Sequence, residues 1–476
     1  MYEKLELLID GQWRQGSEGT TEPVYNPADG SVLAELPHAS VADLDEALAA
    51  SDKAFKSWRK VNPYQRSAML KKAAVLIREN LDHIAAVMTL EQGKTLAESK
   101  IEVAVTADST DWAAEECVRT YGRIVPSRYP GVKMLVDYQP IGPVAAFSPW
   151  NFPALMPIRK AVTAIAAGCS VIVKPAEETP GTAIALTRMF EQAGCPKGLL
   201  QIVFGVPSEV SSKLIRSPII RKVSFTGSIP VGKLLAATAA EGLKKITLEL
   251  GGHSPVVIFD DVDVEKVATL AAAGKQRNAG QVCISPTRFY VQENIHDAFV
   301  DRFTDILKNL KVGDGLDPET QMGPMANPRR IEAMDDFIAD AKQRGATVRT
   351  GGERIGNQGF YYQPTVITDV PDNAKIMTEE PFGPVAPVVR FKSYDEVVER
   401  ANSLNFGLAA YAFTADGARA SQLSQDIEAG MVAVNSFSIA SPETPFGGIK
   451  ESGIGREAGM EGILEHMEMK TISMTG

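Results

Sequence analysis

The chain predicts an α/β protein with two domains of parallel βαβ units. Two observations carry this: short apolar runs alternate with helical stretches along most of its length, and 476 residues exceed what one hydrophobic core usually serves. Ser40 and Asp43 read as an N-cap pair before an amphipathic helix over residues 41–60, and a longer helical pattern covers 65–92. Apolar runs follow at 144–147, 170–173, 200–204 and 223–225, separated by helical stretches such as 182–192 and 231–240. A second series begins after Gly252: a strand at 256–259, a helix at 263–276, a strand at 288–291 and a helix at 295–309. The two domains therefore join near Gly251-Gly252. Between them in character is 121–138, rich in Pro, Gly and Arg before Lys133-Met134-Leu135-Val136-Asp137-Tyr138, a strand that interrupts the first domain. From its residues alone it is equally an ordinary edge hairpin.

Composition excludes several classes. With 59 acidic against 49 basic residues, net −10, the chain has no general attraction for nucleic acid or an anionic membrane, so affinity for an anionic substrate must be local. Met1-Tyr2-Glu3-Lys4-Leu5-Glu6-Leu7 lacks the basic region and apolar core of a signal peptide, and no apolar run reaches membrane-spanning length. Four cysteines (Cys117, Cys169, Cys195, Cys283) are too few for a disulfide framework and show no CxxC spacing, which points to the cytoplasm. Five scattered histidines offer no pair at metal-ligand spacing, so no metal is expected.

Chemistry concentrates around Cys283, within Arg277-Asn278-Ala279-Gly280-Gln281-Val282-Cys283-Ile284-Ser285-Pro286, downstream of Leu248-Glu249-Leu250-Gly251-Gly252. A thiol and a carboxylate supply a nucleophile and a base. A single buried cysteine is more often a small core residue, so the pair alone decides little. No GxGxxG follows the first strands; instead Phe225-Thr226-Gly227-Ser228-Ile229-Pro230-Val231-Gly232 ends a strand in a Gly-Ser turn that opens a helix. Free N–H groups there suit a pyrophosphate, although Ser is a favoured N-cap in any helix. Three further segments tip the balance: Ser148-Pro149-Trp150-Asn151-Phe152-Pro153, Val173-Lys174-Pro175-Ala176-Glu177-Glu178-Thr179-Pro180 and Glu379-Glu380-Pro381-Phe382-Gly383-Pro384.

In this order, these segments resemble those of the aldehyde dehydrogenase superfamily, from about residue 8 to the C-terminus. The resemblance implies a Rossmann-like dinucleotide-binding domain (1–120 and 141–251), an α/β catalytic domain (252–445) and oligomerisation strands (121–140 and 460–476). In the family the β excursion pairs with the C-terminal strand of a neighbouring subunit, here 469–474, giving a homodimer or homotetramer. It implies Cys283 as nucleophile, Glu249 as general base, Asn151 as oxyanion donor with the Cys283 N–H, and Glu457 as an assistant in proton transfer. Lys174 and Glu177 would address the adenosine ribose, Gly227 and Ser228 the pyrophosphate, and Glu380 the nicotinamide ribose. Phe147, Trp150, Leu250 and Phe382 complete the cofactor site. NAD is the preferred coenzyme, with NADP possible.

Substrate follows from the same matching. Arg159, Arg277 and Ser441 match the residues with which succinate-semialdehyde dehydrogenases grip a distal carboxylate, and a guanidinium fork gives orientation as well as affinity. The resemblance is closest to 2-oxoglutarate- and succinate-semialdehyde dehydrogenases, with a broad-specificity enzyme or one for sulfonate-bearing aldehydes as alternatives. CoA-acylating relatives usually lack a glutamate at the position of Glu249, and a non-catalytic descendant would not need Cys283, Glu249 and Asn151 together. Ser285 stands where many relatives carry a second cysteine, so no disulfide switch is expected. The loop Ala440-Ser441-Pro442-Glu443-Thr444 departs from the commonest form.

Overall fold

Capping residues fix where the first helices begin. The structure, a computed structural model, describes residues 2–475. Two hairpins, β1 (Leu7–Ile9) with β2 (Gln12–Arg14) and β3 (Thr21–Tyr25) with β4 (Val32–Pro37), precede helix α1 (Val41–Trp58). Ser40 accepts from the Asp43 N–H while Asp43 accepts from the Ser40 N–H, the reciprocal cap announced by the sequence. The helix expected over 65–92 is instead two, α2 (Pro63–Glu79) and α3 (Leu81–Gln92). Asn80 separates them: its backbone leaves the helical region, and its side chain joins its own N–H in donating to the Leu76 carbonyl, closing α2 there. Left-handed Gly93 ends α3, and Thr95 with Glu98 caps α4 (Leu96–Glu116).

After β5 (Arg123–Val125) and β6 (Val132–Pro140), the chain runs β7 (Val144–Phe147), α5 (Leu155–Ala167), β8 (Val171–Lys174), α6 (Pro180–Ala193), β9 (Leu200–Ile202), α7 (Pro207–Arg216), β10 (Lys222–Thr226), α8 (Ile229–Glu241) and β11 (Lys245–Glu249). These five strands are parallel, in the order β11-β10-β7-β8-β9. The chain winds outward from β7 through β9, then crosses to β10 on the other side. Such a reversal opens a crevice at the carboxyl ends of the strands, where ligands of open α/β sheets bind.

A second sheet takes β12 (Ser254–Ile258), α9 (Val264–Gln276), β13 (Pro286–Gln292), α10 (His296–Lys308), α11 (Pro328–Gln343), β14 (Thr347–Thr350), β15 (Thr365–Thr368), β16 (Val385–Phe391), β17 (Ala409–Phe413) and β18 (Met431–Val434). Its order is β14-β15-β16-β13-β12-β17-β18, with only β14 antiparallel. Phe289 on β13 packs against Phe303 of α10 at 5.1 Å between ring centres, anchoring the helix to the sheet. The chain then returns to the first sheet through β19 (Gly453–Ile454), beside β11.

The last strand, β20 (Met467–Thr475), corrects an expectation. It pairs antiparallel with β6 of its own chain, from Met467 opposite Pro140 to Thr475 opposite Val132, rather than with a neighbouring subunit. The Ile141 N–H donates to the His466 carbonyl at 3.0 Å, which brings the two segments alongside before β20 begins. No helix among the described residues is long and apolar enough to cross a membrane.

Candidate active site

The carboxyl ends of the first sheet gather the residues assigned to the cofactor. Strand register puts Lys174, Phe147 and Phe225 in one row, with Glu249 opposite Thr226. Lys174 pairs with Glu177, and Glu178 pairs with Arg329 at 2.5 Å. Ser228 occupies the N-cap of α8 without making a side-chain cap, and the Gly227 N–H donates to the Glu249 carbonyl. The hydroxyls of Ser148 and Thr226 are buried and unpartnered. Uncapped donors at strand ends beside a helix N-terminus fit a dinucleotide.

Gly232 is glycine because a Cβ there would lie 2.5 Å from Leu250 Cδ2. Across the crevice, Glu380 accepts from the Gly252 N–H at 3.1 Å, and burial pushes its carboxyl up to about 7. A Cβ on Gly251 would meet Glu380 Oε2 at 2.4 Å, so this glycine lets the carboxylate approach, while a Cβ on Gly252 would meet the Cys283 carbonyl oxygen at 2.7 Å. Trp150 meets Phe382 edge to face at 5.5 Å. Arg330, which sequence reading passed over, donates to the Pro381 carbonyl and lies over the Phe382 ring.

Cys283 lies just before β13, on a loop that is anything but regular. Asn278 and Ala279 have φ of 48° and 51°, followed by Gly280 at 71°. Left-handed backbone costs a non-glycine residue about 1–3 kcal/mol, so the surroundings must enforce it. Glu98 accepts the Asn278 N–H at 2.7 Å, Gln92 donates to Asn278 Oδ1 at 2.9 Å, and Gln281 Oε1 accepts the Ala326 N–H. Beyond the thiol, the Tyr411 hydroxyl donates to the Ile284 carbonyl at 2.6 Å. Asn151 Nδ2 donates to the Gln281 carbonyl at 3.1 Å, two residues before Cys283, while its Oδ1 is buried and unpartnered.

Burial pushes the Cys283 thiol up to about 12; Glu380 and Glu249 add to the rise, and Arg159 and Arg277 oppose it. Glu249 stands at the end of β11 with both carboxylate oxygens buried and unpartnered. Burial first and the Glu457 carboxylate second hold it well above the usual carboxylate range, against Lys160, Arg159 and Arg456. Glu457 pairs with Lys160, whose amine also reaches Ser224 Oγ at 3.3 Å. Lys160 was missed in the sequence. Its signal was there: two cations, Arg159 and Lys160, interrupt an apolar helix that turns out buried along its whole length.

The three residues assigned to the substrate sit differently from one another. Arg159 is 7% exposed, its guanidinium 5.0 Å from the Phe446 ring centre and 3.8 Å from Glu457, with Nε and Nη1 lacking hydrogen-bond partners. Arg277 is exposed and stacks over Phe152 at 5.2 Å, in a cleft of about 230 Å³ that Ile101, Val105 and Phe152 help line. Arg277 is thus the more solvated of the two arginines, although the charges of both act on Cys283. Arg277 caps the C-terminal end of α9 and opens the turn that leads to Cys283. Ser441 is also exposed, in a turn closed by the Thr444 N–H donating to its carbonyl. No cluster of three or more metal-ligating side chains occurs among the described residues.

Known proteins place this geometry. The Aldehyde dehydrogenase family matches residues 13–472. The 4-(hydroxymethyl)benzenesulfonate dehydrogenase TsaD1 of Comamonas testosteroni is 47% identical, over 99% of this chain and 98% of that protein. The NADP(+) succinate-semialdehyde dehydrogenase GabD of Escherichia coli is 41% identical, over 98% and 96%. The crystal structure of an aldehyde dehydrogenase from Brucella melitensis biovar abortus superimposes with a TM-score of 0.97 at 44% identity, over 99% of this chain and 97% of that one. With a match over nearly its whole length, this chain belongs to the aldehyde dehydrogenase family and is an NAD(P)-dependent aldehyde oxidoreductase.

Proposed function

We propose that the enzyme oxidises short aldehydes bearing a distal anionic group to carboxylic acids, with water releasing the product. The observation that carries this reading is Arg159: two of its buried N–H positions have no acceptor, a cost of about 1–3 kcal/mol each that a ligand's carboxylate or sulfonate would remove. Relatives named for succinate semialdehyde and for a benzenesulfonate share that anionic end. 2-Oxoglutarate semialdehyde and succinate semialdehyde are the preferred substrates, with sulfonate-bearing aldehydes next. Arg277 serves at the exposed mouth, where it attracts the anion on approach, and Ser441 assists from its own exposed turn.

The steps follow from the residues. Cys283 releases its proton to solvent water, and its sulfur bonds to the aldehyde carbon while the carbonyl electron pair moves to oxygen. Asn151 Nδ2, released from the Gln281 carbonyl, and the Cys283 N–H hold that oxygen. A nicotinamide held by the cofactor residues would accept hydride from the former aldehyde carbon, whose oxygen re-forms its double bond as a thioester on Cys283. Glu249 then takes a proton from water as the water attacks the thioester carbon. The C–S bond breaks, sulfur departs as thiolate, and the acid leaves. Glu457 and Lys160 pass the proton outward from Glu249.

For the coenzyme, Glu177 suits the 2′-hydroxyl of an adenosine ribose and repels a 2′-phosphate, so NAD is favoured. Lys174 beside it tolerates NADP. Phe147, Trp150, Gly227, Ser228, Leu250, Glu380 and Phe382 make up the rest of that site. Residues 1–120 and 141–251 act as the cofactor domain and 252–445 as the catalytic domain. Exposed Ile124, Met469 and Met474 on the β5-β6-β20 sheet support a homo-oligomer. The test is kcat/KM for ω-carboxy and ω-sulfo aldehydes against neutral aldehydes of equal length, with each coenzyme. A preference of tenfold or more for the anions is expected on the order of one charge-assisted hydrogen bond. Equal values return the enzyme to broad specificity.

A further inference from the structure

Two buried charged residues have no part in those steps, yet they hold the turn that carries Asn151. Lys94, in the connection from α3 to α4, pairs with Glu102 of α4 at 2.6 Å, and both are almost fully buried. The Lys94 amine also donates to the backbone carbonyl of Asn151 at 2.8 Å and lies 4.2 Å over the Phe152 ring centre. The second oxygen of Glu102 accepts the N–H groups of Ala154 and Leu155 at 2.9 and 3.1 Å. These N–H groups open α5, whose N-cap, Ala154, has no side chain to offer. One ion pair therefore grips the Asn151 turn from both ends. Asn278, on the nucleophile loop, adds its own amide to the Asn151 carbonyl at 3.0 Å.

Stability alone does not explain such a pair. Apolar residues of similar volume often stabilise a core as well as a buried ion pair does, so what the charges add here is geometry. Asn151 follows β7 and precedes α5, outside either element, and no strand register fixes it. A displacement of 1 Å at a group that must meet a developing charge costs on the order of a hundredfold in rate.

We infer that Lys94, held by Glu102, is a positioning residue that sets the aim of the Asn151 amide at the oxygen of the thiohemiacetal. The inference rests on Asn151 being the oxyanion donor proposed above. Lys94→Met keeps the length and the contact with Phe152 but removes the bond to the carbonyl. Glu102→Gln keeps an acceptor for the α5 N–H groups and removes the charge that fixes Lys94.

The experiment is a double-mutant cycle between Lys94→Met and Asn151→Ala in the full-length enzyme. It reads the pre-steady-state burst of reduced coenzyme, the KM for aldehyde and coenzyme affinity by fluorescence titration. Lys94→Met should slow the burst by roughly tenfold to a hundredfold, with coenzyme affinity and KM unchanged. In the Asn151→Ala background the same change should cost less than about twofold, because its target is gone. Additive losses overturn the inference and make Lys94 a general structural residue. A burst left intact by Asn151→Ala alone overturns the donor assignment instead, and the positioning role with it. If Lys94→Met does not fold, Glu102→Gln enters the same cycle with the same expected outcomes.

Discussion

Glu249 ends a strand whose five residues are all paired with β10, whereas Cys283 stands on a loop where three successive residues take left-handed backbones. The strand holds its carboxylate through main-chain register, which any sequence compatible with β structure preserves. The loop is held by side chains: Glu98 and Gln92 on Asn278, Tyr411 on the Ile284 carbonyl, Asn151 on the Gln281 carbonyl. Substituting the base should therefore remove chemistry and little else. Substituting remote supports of the thiol loop should disturb chemistry without touching a reacting atom.

The largest effect expected is at the thiol. Cys283→Ala should abolish aldehyde oxidation, because the other three thiols sit elsewhere: Cys117 donates to the Pro63 and Ala114 carbonyls, Cys169 to the His466 carbonyl and Cys195 to the Pro196 carbonyl. Coenzyme binding, measured by fluorescence titration, should survive. Turnover retained by this variant would falsify the covalent mechanism.

Glu249→Gln comes next. Acylation precedes the need for this base, so the burst of reduced coenzyme should remain while steady-state turnover falls by roughly 10²–10⁴. Loss of the burst itself would mean that Glu249 also takes the proton of Cys283, and the two regions would then be coupled rather than separable.

The same comparison fixes the sign of the pH response. Cys283, with its thiol pushed up to about 12, is mostly protonated at neutral pH. Its reactive thiolate should rise tenfold per pH unit from 6 to 9, and log burst rate against pH should have a slope near 1. In steady-state turnover the raised carboxyl of Glu249 acts in the same direction, since deprotonation on going up in pH creates the base. A flat burst profile over this range would show that proton removal is not limiting.

Much of the strand-held region was legible in sequence, and little of the loop's support was. The run at 144–147 returned as β7 with the same bounds, and Ser40 with Asp43 capped α1 as read, because both signals are local. Glu249 and Asn151 were found through the segments that carry the family resemblance. Lys94, Glu102, Tyr411 and Lys160 were not, since each works through a partner remote in the chain, as Tyr411 does with Ile284 and Lys160 with Glu457. Lysine and glutamate on helices also read by default as solvated residues. The break at Asn80 was hidden by apolar periodicity on both sides, and the pairing of β20 with β6 is a contact that no local pattern encodes.

The two arginines bring the comparison down to its smallest effects. Arg159, on a buried helix and with free N–H groups, should behave as a fixed ligand. Arg159→Leu should lower kcat/KM for ω-carboxy aldehydes by roughly tenfold to a hundredfold, the equivalent of about 1.5–3 kcal/mol, and leave neutral aldehydes nearly unchanged. Arg277 is exposed and faces solvent across the cleft, so its charge is screened and its grip on an anion weaker. Arg277→Leu should cost about fivefold or less for the same substrates, the scale of an exposed ion pair, and that loss should shrink as salt is raised from 0.05 to about 0.5 M. The salt dependence is what separates a mouth from a clamp. A loss at Arg277 as large as at Arg159, insensitive to salt, would mean that Arg277 is buried against the bound substrate and grips its anion as Arg159 does.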